Sequence, residues 1–292
     1  MANTVTLAEK FTPILDAIYK KESLTARLDA QTKPLDFGGV GQVNIFKTSM
    51  TGLGTYSRAS GYPAGDVTAA WEAITLSCER GRAFSVDNMD NEETLGQAFG
   101  RLAGEFIRTQ VVPEVDAYRF AEYASTAGVD GTAAALADAA ATIAAIDVGQ
   151  AAMDENEVPK EGRLIFIDGA HDRLLRGAVT RVLESSNSYD RRLNSLDGTE
   201  IISVPSARFA ETCTLDAGAT SGSGGFTLAG SQINFIILHP SAIGQATKLA
   251  KLKIFSPEMN QLSDAWLLQY RLYHDVWVYD NKVDGVYVHT VS

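Results

Sequence analysis

The chain has 292 residues, and 45% of them are hydrophobic, which is enough apolar material for one large domain or two medium ones. Its formal net charge is −11 at pH 7, and none of its 25 Lys and Arg residues belongs to a long basic run. We therefore do not expect direct binding to a nucleic-acid backbone, because neutralising phosphates requires clustered basic side chains.

The first 40 residues are predicted to form an arm. A short helix with one apolar face leads only into a polar, Gly-rich stretch, and that face contains Phe11, Ile14, Leu15 and Ile18. The opening MANTVTLAEKF has no apolar run of the signal-peptide type, and no segment approaches the ~20 apolar residues that cross a bilayer. We expect no secretion signal, no membrane contact, and an N-terminal segment that packs on a neighbouring molecule.

Two strand-like segments, residues 42–48 and 71–78, are separated by a long loop over residues 49–70 that is rich in Gly, Ser, Thr and Tyr. A loop of this length in a compact domain is either a functional projection or a sign that the strands are assigned incorrectly. Disordered segments have few aromatic residues, so Tyr56, Tyr62 and Trp71 favour an ordered projection.

The clearest helical pattern lies within residues 84–123. Apolar residues recur there at i, i+4, i+7 and i+11, the spacing of one helical face: Leu95, Phe99, Leu102 and Phe106. This face must bury against another element, so the segment is predicted to be a long amphipathic helix. Pro113 lies within it and is expected to remove one backbone hydrogen bond, which either kinks the helix or splits it in two.

Beyond this helix the sequence predicts alternating helices and strands. An alanine-rich helix is predicted over residues 131–152, with a further helix starting at Ala170 and another running from Pro240 to about Leu249. Buried strands are predicted over residues 163–167, 201–204 and 233–238. The tract GATSGSGG at residues 218–225 lacks the Gly-Lys-Ser/Thr ending of a phosphate-binding loop and is predicted to be a mobile surface loop.

The C-terminal segment returns to a strand pattern. Residues 266–279 alternate between two faces, and both faces carry large apolar side chains. Asp280, Asn281 and Gly285 supply turn residues before a last strand at residues 286–288. We expect these two strands to pair antiparallel.

Four segments stand out in this order: YSRASGYPAGDV at residues 56–67, RGRAFSVDNMDNEET at 80–94, VVPEVDAYRFAEYA at 111–124 and DAWLLQYRLYHDVWVYDNKVDGVYV at 264–288. Together they resemble the major capsid proteins of tailed bacteriophages and prophages, whose fold is named for the Hong Kong ninety-seven phage. The resemblance extends in order over nearly the whole chain.

The resemblance implies an α+β fold with five parts. They are an N-terminal arm (residues 1–40), an extended loop that lies over the neighbouring subunit (41–80), a peripheral domain built on a long spine helix (81–126), an axial domain (127–255) and C-terminal strands that return to the peripheral domain (256–292).

The function that the resemblance implies is assembly. Subunits would form pentamers and hexamers of an icosahedral shell around phage double-stranded DNA, without sequence-specific binding and without a cofactor or metal. The implied partners are further copies of the chain, a separate scaffolding protein, a portal and decoration proteins. The implied location is the virion, with assembly in the bacterial host cytoplasm.

Five polar or aromatic residues are the candidates for inter-subunit contacts: Arg58, Tyr62, Glu72, Arg80 and Arg82. Some relatives weld their shells by an isopeptide bond from a loop lysine. Residues 49–91 contain no lysine, and Lys47 lies at the base of the loop, so covalent cross-linking is not expected.

Two alternatives stay open. An encapsulin, the shell of a cellular nanocompartment, has the same subunit architecture and encloses an enzyme. Outside this fold, a metal-dependent α/β enzyme would use Asp168 and His171, which follow a predicted strand. Neither these residues nor the pair His274 and Asp275 match a known zinc or nucleophile pattern, so no catalytic or metal site is predicted. Cys78 and Cys213 have no metal-ligand spacing and are expected to be free, buried or half-buried thiols.

Overall fold

The computed structural model describes residues 23–29, 36–39, 42–93, 97–126, 130–178, 195–220, 222–261 and 263–291. The arm helix predicted over residues 11–18 lies outside these residues, as does Leu95. The helices of the described residues are α1 (Ala26–Asp29), α2 (Asn88–Glu93), α3 (Gln97–Phe106), α4 (Val112–Ser125), α5 (Ala139–Glu155) and α6 (Gly169–Ala178). The strands are β1 (Asp36–Gly39), β2 (Gln42–Met50), β3 (Val67–Thr75), β4 (Cys78–Asp87), β5 (Asp130–Ala133), β6 (Leu164–Asp168), β7 (Ser195–Leu196), β8 (Thr199–Val204), β9 (Ala210–Leu215), β10 (Phe226–Leu238), β11 (Ile243–Phe255), β12 (Ala265–Val278) and β13 (Val286–Thr290).

Within the described part of the chain, the strands form three sheets. The first is antiparallel, with the order β1-β2-β3, and the second is antiparallel, with the order β11-β12-β4. The third is mixed, with the order β5-β13-β10-β6-β8-β7 and with β9 paired to β10. This combination of helices with mainly antiparallel sheets confirms the predicted α+β class.

The spine helix changes its hydrogen-bonding pattern just before Pro113. A π-helical turn, Ile107–Val111, follows α3 directly and leads into α4 without a non-helical residue. A proline ring cannot donate a hydrogen bond, and it crowds the carbonyl of the preceding turn, which a wider π turn relieves. The predicted interruption therefore takes the form of a π turn and not of a break.

The spine helix packs on the sheet formed by β4, β11 and β12. Its buried side chains are Ala103, Ile107, Val111, Val112 and Val115, and those of the sheet are Leu252, Ile254, Leu268 and Leu272. The rings of Phe84 and Phe106 meet edge to face with their centroids 4.8 Å apart. The strand predicted over residues 266–279 is thus confirmed as β12, which lies in the sheet beneath this helix.

The helix predicted from Pro240 to Leu249 was wrong. Pro240–Ala242 is a single 3-10 turn, and β11 follows it as a long strand. In β11, Leu252 and Ile254 are buried, whereas Lys251 and Lys253 are exposed. This period of two fits a sheet that is covered on one face, and pairing with β12 overrides the local helix preference.

The expectation that the two C-terminal strands pair with each other was also wrong. β12 pairs with β11 and β4, whereas β13 pairs antiparallel with β10 and parallel with β5. Every residue of β13 is buried, because both faces of the sheet are covered at this strand. Val286 and Val288 belong to the same buried cluster as Phe120 of α4, and Tyr287 belongs to the cluster that contains Ile146 of α5. The 3-10 segment Asp280–Gly285 carries the chain from one sheet to the other.

The alanine-rich helix begins later than predicted. Residues 131–133 belong to β5, and α5 starts at Ala139, where the side chain of Asp138 accepts a hydrogen bond of 2.8 Å from the Ala141 amide. An N-cap aspartate supplies an acceptor for an otherwise unpaired helical amide. The cap, and not the alanine content, sets the start of this helix.

Gly244 in β11 lies close against the ring of Trp277 in β12. It faces Trp277 across the β11–β12 pair, and a Cβ atom added there would overlap the indole ring. We expect Gly244→Ala to lower the free energy of unfolding by about 1–3 kcal/mol, because Trp277 must leave its packed position. Urea denaturation measures this, with Gly52→Ala as the control, since an added Cβ at Gly52 meets no atom within 4 Å. Equal effects of the two substitutions would contradict the prediction.

Candidate assembly surface

Strands β2 and β3 form a hairpin whose two faces differ. Phe46 pairs with Trp71 and Met50 pairs with Val67 in the register of the hairpin. Cross-strand partners lie on one face, and every second residue shares that face. All four side chains therefore belong to the same face, which we call the outer face.

The outer face is apolar and exposed. The exposed fractions are 53% for Phe46, 71% for Met50, 71% for Val67 and 68% for Trp71. The rings of Phe46 and Trp71 are in contact, with centroids 5.0 Å apart. Two apolar cross-strand pairs, separated by the pair Thr48 and Ala69, are thus exposed on one face. Exposed apolar clusters mark interaction sites, whereas single exposed apolar residues do not.

The opposite face of the hairpin holds it to the body of the protein. Val43 is fully buried, and Ile45 and Ile74 pack with it against Trp277. Further out, Lys47 pairs with Glu72 and with Asp280, the latter at 2.7 Å. Hydrogen bonds to Asp280 and Glu72 raise the pKa of Lys47. The base of the hairpin is therefore fixed, and its outer face is presented to solvent.

The tip of the hairpin, residues 51–66, is largely exposed and is held together by contacts of its own. Two backbone hydrogen bonds between Ser57 and Gly61, of 3.1 and 2.7 Å, close the turn that contains Arg58. The rings of Tyr56 and Tyr62 pack against each other with centroids 5.0 Å apart, yet Tyr62 is 88% exposed. These contacts agree with the prediction of an ordered projection, which stays a prediction.

A buried carboxylate on the spine helix binds residues 23–25 of the N-terminal segment. Asp116, on α4, is fully buried and accepts hydrogen bonds from the hydroxyls of Ser23 and Thr25, at 2.8 and 2.7 Å. The backbone amides of Leu24 and Thr25 donate to the same carboxylate, at 3.1 and 3.3 Å. Arg208 completes the set with an ion pair of 3.3 Å.

Arg80 and Arg82 bind the glycine-rich tract of the same chain. The guanidinium of Arg80 makes two hydrogen bonds to Glu114, of 2.6 and 3.1 Å, and donates to the carbonyl of Asp216 at 2.7 Å. Arg82 donates to the carbonyl of Ser223 at 2.9 Å. The tract predicted to be a mobile loop is thus tied to β4 and α4.

Asp216 organises the same tract from within. Its carboxylate accepts hydrogen bonds from the amides of Gly218 and Gly224, at 2.9 and 3.0 Å. These two backbone hydrogen bonds lower the pKa of Asp216, because they favour the charged form. The tract is therefore a tethered surface loop, which we call the glycine loop.

A cavity of about 440 Å³ lies between the spine helix, the sheet beneath it and the glycine loop. Its apolar lining includes Phe84, Phe106, Val111, Val115, Tyr270 and Leu272. Its polar lining includes Arg80, Arg82, Glu105, Gln110, Glu114 and Asp216. The cavity is open to solvent and has the size of pockets that hold small molecules or a few side chains.

The five predicted contact residues thus fall into three places. Arg58 and Tyr62 lie at the hairpin tip, Glu72 lies at its base, and Arg80 and Arg82 line the cavity. Sequence reasoning missed the outer face itself. The alternation in residues 42–50 predicts a strand, but it does not say which face is left uncovered.

The alternative enzymatic residues have structural partners. Asp168 accepts a hydrogen bond of 3.1 Å from the Ala170 amide at the start of α6, and His171 lies 3.7 Å from the same carboxylate. Asp172 pairs with Arg176 at 2.8 Å. Within the described residues, no group of three or more His, Cys, Asp or Glu side chains is arranged to hold a metal ion.

Both cysteines are free, and Cys78 is buried while Cys213 is half-buried, as predicted. Burial raises the pKa of Cys78 to about 12 and that of Cys213 to about 11, so both remain thiols at neutral pH. The Cys78 sulfur lies 3.5 Å from Nε2 of His274. A thiol with so high a pKa is a poor nucleophile, and this pair is not an activated dyad.

His274 gives the fold a specific dependence on pH. Burial lowers its pKa from 6.5 to about 3, so the unfolded chain binds one more proton than the folded chain between these values. We expect the free energy of unfolding to fall as the pH is lowered through this window, by at most about 1.4 kcal/mol per pH unit from this residue. Urea denaturation between pH 7 and pH 4 measures the slope, and His274→Gln is expected to flatten it. Parallel curves for the two proteins would contradict this.

Comparison with known proteins identifies the fold. No family model and no curated protein matches the sequence. A structure from Mycobacterium phage Che8 covers 93% of this chain and 90% of its own, with 13% identity and a TM-score of 0.60. The mature capsid of bacteriophage PhiM1 covers 87% and 82%, with 15% identity and a TM-score of 0.58. The chain has the Hong Kong ninety-seven-type capsid fold.

This capsid fold also occurs in a virus-like particle from Pyrococcus furiosus, which covers 97% of this chain and 98% of its own, with 12% identity and a TM-score of 0.53. Of the helices in the part of the chain that the structure describes, none has the length and apolar character needed to cross a membrane. The fold predicted from the four sequence segments is therefore confirmed. The outer face of the hairpin carries four large apolar side chains that are each more than half exposed.

Proposed function

We propose that this protein is the major capsid protein of a tailed phage or prophage and that it assembles into a closed shell. The observation that carries the proposal is the outer face of the hairpin, where four large apolar side chains are exposed on an anchored projection of a capsid fold. Burying such a surface against another copy is favourable by about 25 cal/mol per Å². A shell repeats that contact in every subunit, so weak individual interfaces add up.

The fold supports a finer proposal for the assembly. Subunits form pentamers and hexamers, and the shell encloses double-stranded DNA without reading its sequence. A scaffolding protein, a portal and decoration proteins are the proposed partners, and the virion is the proposed location. The five-part division of the chain, with an arm, an extended loop, peripheral and axial domains and C-terminal strands, remains our proposal for the subunit.

Electron microscopy of negatively stained protein tests the proposal, with the chain expressed alone and together with a candidate scaffolding protein. Closed shells, tubes or capsomer rings are the expected result. Uniform monomers of 31.3 kDa in both preparations would overturn it. Nucleic acid inside closed particles supports a virus, whereas a protein cargo would favour a nanocompartment shell.

A further inference from the structure

We propose that the sheet formed by β4, β11 and β12 binds an acidic segment of a partner protein on the face that points away from the spine helix. The inference rests on the proposed function, because the partner is a different protein that joins the assembled shell. It names the chemistry of that partner and the surface that holds it.

The strand register places three cations on this face. Lys251 lies directly opposite Arg271, and Lys253 follows Lys251 two residues later on the same face. Alternate residues of a strand point to opposite faces, and Leu252 and Ile254 are buried with the spine helix. Lys251 and Lys253 therefore point away from the helix, and both are exposed. We call this surface the basic face.

The charges of the basic face are not balanced within the chain. Like charges directly opposite each other on neighbouring strands repel, and Lys251 and Arg271 are such a pair. Glu79 pairs with Arg271, whose side chain is still 62% exposed. Among the described residues, no carboxylate pairs with Lys251 or Lys253. The basic face is therefore positive on a chain whose formal net charge is −11.

The surroundings of the cations indicate the shape of the partner. β4 contributes small side chains beside them: Gly81, Ala83 and Ser85. Beyond Lys253, Phe255 lies opposite Leu267, and both are half-buried. The face spans about 13 Å along β11 from Lys251 to Phe255, which is the length of about four extended residues. A protein segment with carboxylates next to apolar side chains matches this pattern.

Two other occupants match the basic face less well. The projecting loop of a second copy has no net charge, since Arg58 and Asp66 are its only charged residues over positions 49–70. Double-stranded DNA requires a larger cluster of cations to neutralise its phosphates, and the remainder of the chain is acidic. An acidic protein segment supplies the opposite charge without these costs.

A binding titration on assembled particles tests the inference. The probe is a labelled synthetic peptide of four glutamates followed by two leucines, and fluorescence anisotropy measures its dissociation constant. We expect the double variant Lys251→Glu with Lys253→Glu to weaken binding by about tenfold or more, because it reverses the charge of the face. Added salt is expected to weaken binding to the wild type, since the contact is exposed. Glutamate at position 251 faces Arg271, so the variant is expected to fold.

The matched control is the double variant Lys160→Glu with Arg173→Glu. Both positions are exposed and lie outside this sheet, and the change in net charge is the same. This variant is expected to bind the peptide as the wild type does. A second peptide, with glutamine in place of each glutamate, is expected to bind much more weakly. Urea denaturation checks that the variants are folded.

Several results would overturn the inference and leave the shell function standing. They are no binding of the acidic peptide to intact particles, equal binding of the two peptides, equal effects of the two double variants, or tighter binding of a short duplex DNA. Peptide binding to free subunits that is lost in closed shells would mean that another copy covers the face.

The lysines of β11 also lie on an edge strand, where charge discourages pairing with a second sheet. The double variant Lys251→Gln with Lys253→Gln separates the two roles. We expect it to weaken peptide binding. Aggregation of this variant with unchanged peptide binding would assign the lysines to edge protection and overturn the inference. Wild-type protein that never assembles would overturn the shell function and the inference together.

Discussion

Asp116→Asn is expected to lower the free energy of unfolding by about 3–5 kcal/mol, the usual cost of removing one partner from a buried ionic network. The carboxylate is fully buried and receives hydrogen bonds from residues 23–25 in addition to its ion pair with Arg208. The amide keeps the shape but loses the charge, and its NH₂ group faces donors instead of acceptors. Urea denaturation monitored by tryptophan fluorescence measures the change.

The control for this substitution is Asp147→Asn, at an exposed position of α5. It makes the same chemical change without burial, and surface substitutions of this kind stay within about 0.5 kcal/mol. Limited proteolysis adds a second readout, since the segment at residues 23–29 is expected to become accessible in Asp116→Asn alone. Equal stability of the two variants would mean that the Asp116 network contributes nothing to the fold.

Trp71→Ser is expected to prevent or strongly weaken assembly and to leave the subunit as stable as before. The side chain is 68% exposed in the isolated chain, so its removal leaves no internal cavity. Aromatic hot-spot residues at the centre of an interface contribute about 2 kcal/mol or more to the binding free energy. Because each ~1.4 kcal/mol changes the affinity tenfold, this corresponds to roughly a thirtyfold change in affinity per contact. We therefore expect the concentration needed for assembly to rise by at least tenfold.

Light scattering against protein concentration measures this effect, and urea denaturation checks the stability of the subunit. Trp71→Phe is the matched control, because it keeps an aromatic ring in contact with Phe46. It is expected to assemble at nearly the wild-type concentration. Normal assembly of Trp71→Ser would show that the outer face of the hairpin does not lie in an interface.

The sequence predicted those elements whose patterns depend only on local chemistry. The apolar period of the spine helix and the alternation in β2 and β12 gave the correct type of element. Pro113 marked the place where the helix changes its hydrogen bonding. These features follow from backbone geometry and side-chain shape within a few residues, so they are visible without knowledge of the neighbours.

The elements that the sequence predicted incorrectly are those decided by distant partners. β11 follows a turn that begins at Pro240, a residue type that often starts a helix, yet pairing with β12 makes the segment a strand. β13 pairs with β10 and β5 and not with β12, its predicted partner, and every one of its residues is buried. Burial on two faces is a property of the assembled sheet and cannot be found in a short segment.

The candidate site divides in the same way. The sequence by itself predicted a projecting loop over residues 49–70, of which the structure assigns the two ends to β2 and β3. It also gave Arg58, Tyr62, Glu72, Arg80 and Arg82 as candidates for inter-subunit contacts, which stay predictions. Only the tertiary structure decided that Arg80 and Arg82 hold the glycine loop, that Glu72 and Lys47 fix the base of the hairpin, and that its outer face stays uncovered. The reason is physical: a charge or an apolar side chain acquires its role from the groups that the fold brings beside it, and most of those lie far away in the sequence.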